Sequence, residues 1–145
     1  VEKNIKSSGF ENVNVILLYD LELDAKDLDN TVDLVKINDT QTFTTTSHFP
    51  YDSPVEIVVH TVKTIPVSLS YKEAMGMDHK ELVKSLKKAG FVNIKEEAIK
   101  DIVTGWITKD GQIESVTIDE KDDFGKEDKF RPDASILIQY HTWKN

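Results

Sequence analysis

The chemistry this chain could perform rests on its four histidines and its many carboxylates. His141 stands between Tyr140 and Trp143 in the closing stretch SILIQYHTWKN, where an imidazole among aromatic rings could act as a base, a metal ligand or part of a binding corner. Zinc asks for three or four ligands at a recognisable spacing, and neither His48, in a threonine-rich loop, nor His79, at a helix start, supplies them. Calcium asks for six to eight oxygens from a shaped turn. The acidic runs Asp119-Glu120-Lys121-Asp122-Asp123 and Asp20-x-Glu22-x-Asp24 lack that spacing and read as solvated loops. No pair of carboxylates is marked as a glycosidase pair, and no phosphate-binding glycine loop occurs. Ser7-Ser8-Gly9 ends a helix and is no nucleophile elbow. The absence of cysteine excludes disulfides, thiolate catalysis and cysteine-zinc sites. The expectation is a protein without catalytic residues, metal or cofactor.

What positions the histidine is an internal repeat. At an offset of 81 residues, VEKNIKSSGFENVNV falls on LVKSLKKAGFVNIKE and PVEIVVHTVK on SILIQYHTWK, without a gap from Val1/Leu82 to Lys63/Lys144. Of the 63 columns, 16 are identical, including Gly9/Gly90, Phe10/Phe91, Asp20/Asp101, His60/His141 and Lys63/Lys144. Two similar units follow, residues 1–63 and 64–145.

Each copy reads as one helix and then strands. In the second, Asp78-His79-Lys80-Glu81 has the form of a capping box, Leu82, Val83, Leu86 and Ala89 make one apolar stripe, and Gly90 suits the left-handed cap. Alternation predicts strands near 13–19, 32–38 and 54–62, and near 94–99, 113–119 and 135–143. A further strand over 102–108 would turn at Lys109-Asp110-Gly111. The fold class is α+β, with each unit one helix packed on a small, about three-stranded antiparallel sheet. Ile136, Ile138 and Tyr140 share the core face with Val55, Ile57 and Val59 of the first copy, which leaves His60 and His141 on the outer face. A histidine repeated there reads as scaffolding, such as a cross-strand hydrogen bond. The first copy lacks the capping residues of the second, so repeat 1 is expected to be truncated at its N-terminus and the chain to be a fragment.

The stretch GMDHKELVKSLKKAGF resembles the opening of a PASTA domain, with Gly76, Met77, Leu86, Ala89 and Gly90 at that family's spacing and Ile65-Pro66 in place of its leader. The leader is longer than usual, and the Gln-Ser-Pro segment before the last turn is absent. Gly90–Ile94, Thr104–Gly111 and Tyr140–Thr142 are similar to tandem PASTA-like repeats of membrane-anchored proteins from Gram-positive bacteria (Firmicutes). The resemblance implies an extracytoplasmic, non-catalytic module at the cell surface, anchored by a segment outside these residues. Its partner would be cell-wall peptidoglycan fragments or another surface protein, the latter through an interaction or dimerisation role without wall affinity.

Charge sharpens the partner question. The net charge is −8, which disfavours nucleic acid and anionic membranes, and no apolar run is long enough to span a bilayer. Residues 1–63 carry 5 basic and 11 acidic residues, a net of −6, against −2 for residues 64–145. The candidate ligand-binding residues are Trp106, Tyr140 and Trp143. An indole at a sheet rim can stack on a sugar or fill a partner's pocket, and it can equally seal the core of a small domain. Trp106 and Trp143 stand where the first copy has Ala25 and Val62, so any ligand contact here belongs to the second copy.

Overall fold

The computed structural model describes residues 1–144. It forms two compact units, which divide after Lys63. Unit 1 contains helix α1 (Glu2–Ser7) and strands β1 (Val13–Leu21), β2 (Val32–Ile37) and β3 (Val55–Val62), with a 3-10 segment (Leu23–Leu28) between β1 and β2. Unit 2 contains β4 (Ile65–Pro66), α2 (Tyr71–Met75), α3 (His79–Ala89), β5 (Ile94–Ile102), β6 (Ile113–Ile118), β7 (Lys129–Phe130) and β8 (Ile136–Trp143).

Both units are α+β, and the main sheet of each has three strands. The sheets are mixed rather than wholly antiparallel. In unit 1 the order is β1-β3-β2, with β1 parallel and β2 antiparallel to the central β3. Unit 2 repeats this as β5-β8-β6, and Ile94↔Ile136 pairs at the same offset from Val13↔Val55 as the repeat itself. The alternation of apolar residues identifies strands but carries no information on their direction. The last strand of each unit enters between the first two, so β5 and β6 are not neighbours and no hairpin joins them. A parallel pair then needs a crossover, which the intervening segments provide.

The expected strand over 102–108 is absent. β5 runs on to Ile102, and residues 103–108 form exposed bends. Gly111, at φ +83°, does not close a hairpin. Its N–H donates to the His141 carbonyl and its carbonyl accepts from the His79 N–H, which ties the start of α3 to the end of β8.

Helix α3 forms as its stripe dictates. Leu82 and Leu86 are fully buried, Val83 and Ala89 lie at the edge, and Gly90 at φ +109° ends the helix. Phe91 folds back into the core. The cap of α3 is Asp78 alone, accepting from the Lys80 N–H. The reciprocal capping box lies one element earlier, at Ser70 and Glu73, and starts the short helix α2 that the periodicity did not reveal. In the central strands Val55, Ile57, Ile136 and Ile138 are buried, while Val59 and Tyr140 are half-buried.

Candidate functional site

Each repeated histidine sits on a central strand between two carboxylates from the flanking strands. The His141 Nδ1 lies 2.9 Å from Asp101 Oδ2 on β5, and its Nε2 lies 2.9 Å from Glu114 Oε2 on β6. The His60 Nδ1 lies 2.8 Å from Asp20 Oδ2 on β1, and its Nε2 lies 3.6 Å from Asp33 Oδ1 on β2. Asp20 matches Asp101 and Asp33 matches Glu114 in the repeat.

The backbone explains how these carboxylates reach the rings. Register shifts fall between Tyr19 and Leu21 and between Val32 and Leu34 in unit 1. In unit 2 they fall between Lys100 and Ile102 and between Ile113 and Ser115. The residues skipped are Asp20, Asp33, Asp101 and Glu114. All four carboxylates are therefore the extra residues of irregularities in their strands. A bulge interrupts the ladder and re-aims a side chain, and here each one turns a carboxylate toward the imidazole. The histidine and its two acids thus staple three strands where their backbone pairing is weakest.

This arrangement decides the chemistry. Only the doubly protonated imidazolium donates from both ring nitrogens. The hydrogen bond to Asp101, opposed by desolvation and aided by Glu114, raises the His141 pKa above its ordinary value. Both ring nitrogens of His141 are engaged by carboxylates, which leaves neither free to accept a proton from a substrate. The carboxylates lie on opposite sides of the ring and so do not converge on one ion. Among the described residues no group of three or more His, Asp or Glu side chains is placed to hold a metal.

A third histidine is scaffolding of another kind. His79, buried at the head of α3, places Nδ1 2.6 Å from Glu96 Oε2. Its ring stacks on Tyr140 at 3.7 Å and 2° between planes. Tyr140 is therefore committed to the helix-facing side of β8 and does not join the two indoles.

The indoles occupy the open bends after β5. Trp106 is 91% exposed and Ile107 95% exposed. Trp143, at the end of β8, is half covered and lies against Gly105, the residue before Trp106. Residues 101–105, 107 and 108 line a shallow cavity of about 180 Å³. Unit 1 has the 3-10 segment at this position, without an aromatic ring. A second exposed apolar surface is β1, an edge strand on which Val15, Ile16, Leu17, Leu18 and Tyr19 all face solvent. The matching strand β5 carries Lys95, Glu96, Glu97 and Lys100, the charged edge that discourages strand addition.

The bulged carboxylates were not recognised from sequence as partners of the histidines. Their signal was present, since Asp20/Asp101 is an identical column and Asp33/Glu114 an acidic one within the same repeat.

No family model and no curated protein matches the chain. Among solved structures, it is similar to the entire extracellular region of the Ser/Thr kinase PrkC from Staphylococcus aureus, at 17% identity and a TM-score of 0.40, over 99% of this chain and 42% of that one. It is also similar to the three-PASTA-domain of a Ser/Thr kinase from Staphylococcus aureus, at 12% identity and a TM-score of 0.38, over 97% of this chain and 59% of that one. The likeness is thus to extracellular PASTA-domain regions, of which this chain spans about two fifths to three fifths. No helix among the described residues is long and apolar enough to cross a membrane.

Proposed function

We propose that the chain is a non-catalytic, extracytoplasmic binding and spacer module, with the bends at 103–108 of unit 2 as its contact surface and cell-wall peptidoglycan as its ligand. The observation that carries this reading is the exposed Trp106 beside the half-covered Trp143, a pair that unit 1 lacks. An open indole face offers a sugar ring a stacking platform, and the shallow cavity beside it suits one or two rings rather than an enclosed small molecule. The histidine clamps support the non-catalytic part, because their nitrogens are already engaged.

The test is retention on purified peptidoglycan, with Trp106 fluorescence as a second readout. Retention that is lost in Trp106→Ala, with the fold intact by circular dichroism, supports the reading. Absence of retention at every salt concentration removes it.

A second reading, a protein-interaction or dimerisation module without wall affinity, is favoured by the apolar edge strand β1. Concentration-dependent self-association abolished by Leu17→Lys would support that reading, and a strictly monomeric chain without a protein partner would argue against it.

A further inference from the structure

Unit 1 has an open apolar groove of about 490 Å³. Its apolar wall is Ile5, Phe10, Val35, Ile37, Phe43 and Phe49. In the repeat these six positions match Leu86, Phe91, Val116, Ile118, Phe124 and Phe130. All six of the latter belong to the hydrophobic core of unit 2 or pack against it. Phe43 is 39% exposed where its counterpart Phe124 is 2% exposed. The same apolar face is thus open in one unit and closed in the other.

What closes it in unit 2 is the leader, residues 64–77. Ile65, Val67, Leu69, Tyr71, Ala74, Met75 and Met77 from this stretch complete the core. Its backbone docks as well. Val67, Ser68 and Tyr71 donate their N–H groups to the carbonyls of Asp128, Lys126 and Phe124, and Ile65-Pro66 pairs with β7. The matching carbonyls in unit 1 belong to Ser47, Thr45 and Phe43, and none of them accepts a backbone hydrogen bond among the described residues. Unit 1 therefore presents both halves of a docking surface already formed in unit 2, an apolar floor and a row of backbone acceptors.

We propose that this groove is a receptor for a leader peptide. The peptide is an extended segment with apolar side chains at alternate positions, running into one helical turn that carries a small residue. Residues 64–77 have that pattern as Ile65-x-Val67-x-Leu69 followed by Ala74. Charge narrows the partner further. Unit 1 carries a net of −6, and Thr45 replaces the Lys126 that pairs with Glu73 in unit 2. The occupant is therefore neutral or basic. A second copy of the chain is the weaker candidate, because lending residues 64–77 to a neighbour would open the lender's own core.

The experiment titrates the full chain with a synthetic peptide of residues 64–77 carrying Glu73→Gln, followed by nuclear magnetic resonance. The expected result is saturable binding, with shifts at Phe10, Phe43 and Phe49 of unit 1. A Glu73→Gln peptide that also carries Val67→Ser and Leu69→Ser should bind about tenfold or more weakly, and so should the Glu73→Gln peptide to a Val35→Asp chain. The peptide arm does not depend on whether Val35→Asp folds. Equal binding by a scrambled peptide, shifts confined to unit 2, or no binding at millimolar peptide would each overturn the proposal. Closure of the groove by dimerisation of the chain alone would overturn it in favour of a second copy.

Discussion

Replacing His141 by alanine should lower the stability of unit 2 by about 2 kcal/mol at pH 6. The figure follows from the geometry. Two contacts of 2.9 Å are lost, from a ring whose side chain is only 13% exposed. Hydrogen bonds to charged groups contribute about 1.5–3 kcal/mol each when shielded, and exposed pairs about 0.2–1 kcal/mol. Asp101 and Glu114 are about half open to solvent, so about 1 kcal/mol per contact is a fair value after screening. For a unit of this size that corresponds to a drop of roughly 10 °C in melting temperature. Tryptophan fluorescence reads the unit selectively, since both tryptophans lie in unit 2. The half-covered Trp143 supplies the change on unfolding, while the exposed Trp106 gives a nearly constant background.

The pH dependence follows from the direction of the shift. The native His141 pKa is raised above the unfolded value of 6.5, chiefly by the hydrogen bond to Asp101. The contribution is therefore complete below about pH 6.5 and is lost as pH rises through the higher native value. The wild-type transition should weaken across that window, and the His141→Ala transition should not. Glu114→Gln should flatten the dependence by removing one of the two charges. A His141→Ala chain within about 0.5 kcal/mol of wild type, with the same pH profile, would refute the clamp.

Other outcomes test the elements around it. Leu86→Ala should cost about 3 kcal/mol in unit 2, whereas Ile5→Ala, its counterpart beside the open groove of unit 1, should cost about 1 kcal/mol, both read by urea denaturation with unit-specific amide signals. Glu73, lowered to about 2 chiefly by the hydrogen bond from Lys126, stabilises the leader at neutral pH, and that contribution should be lost as pH falls from about 4.5 through 2. Hydrogen exchange at Tyr71–Met75 should accelerate over that range and do so earlier in Lys126→Ala. Gly111→Ala should cost about 1–3 kcal/mol, because φ is +83° there and the new methyl would collide with the Asp78 carboxylate that caps α3. Thermal melting checks it.

The helix stripe, the Gly90 cap and all six long strands were legible in the sequence, because each rests on a local pattern of apolar side chains or on one glycine. Strand direction was not, since alternation is the same for parallel and antiparallel pairs. Residues 102–108 misled for a related reason. Ile102, Val103 and Ile107 look like a strand, but β8 already fills the place beside β5 that such a strand would take. Helix α2 was too short for a periodic signal, although its Ser70–Glu73 box is plain once the helix is known. At the site, the outward face of His60 and His141 and their structural role were legible. Asp33 and Glu114 were hidden because alternation from Val35 and Val116 places them on the core side, and only the register shift brings them to the rings; Asp20 and Asp101 lie on the histidine face by alternation but on strands whose neighbours were not known. Tyr140 was read as a candidate contact on its position beside His141; its stacking on His79 depends on a helix that lies 61 residues earlier in the chain.

The central claim is that His141 is fixed between two acids, which hold its ring protonated, and serves the fold rather than a reaction. Nitrogen-15 chemical shifts of the His141 ring at pH 7 test it most directly. Two protonated ring nitrogens, with the charge lost in the Asp101→Asn and Glu114→Gln double variant, are the predicted result. A neutral ring with a bare Nε2 at that pH would contradict the account.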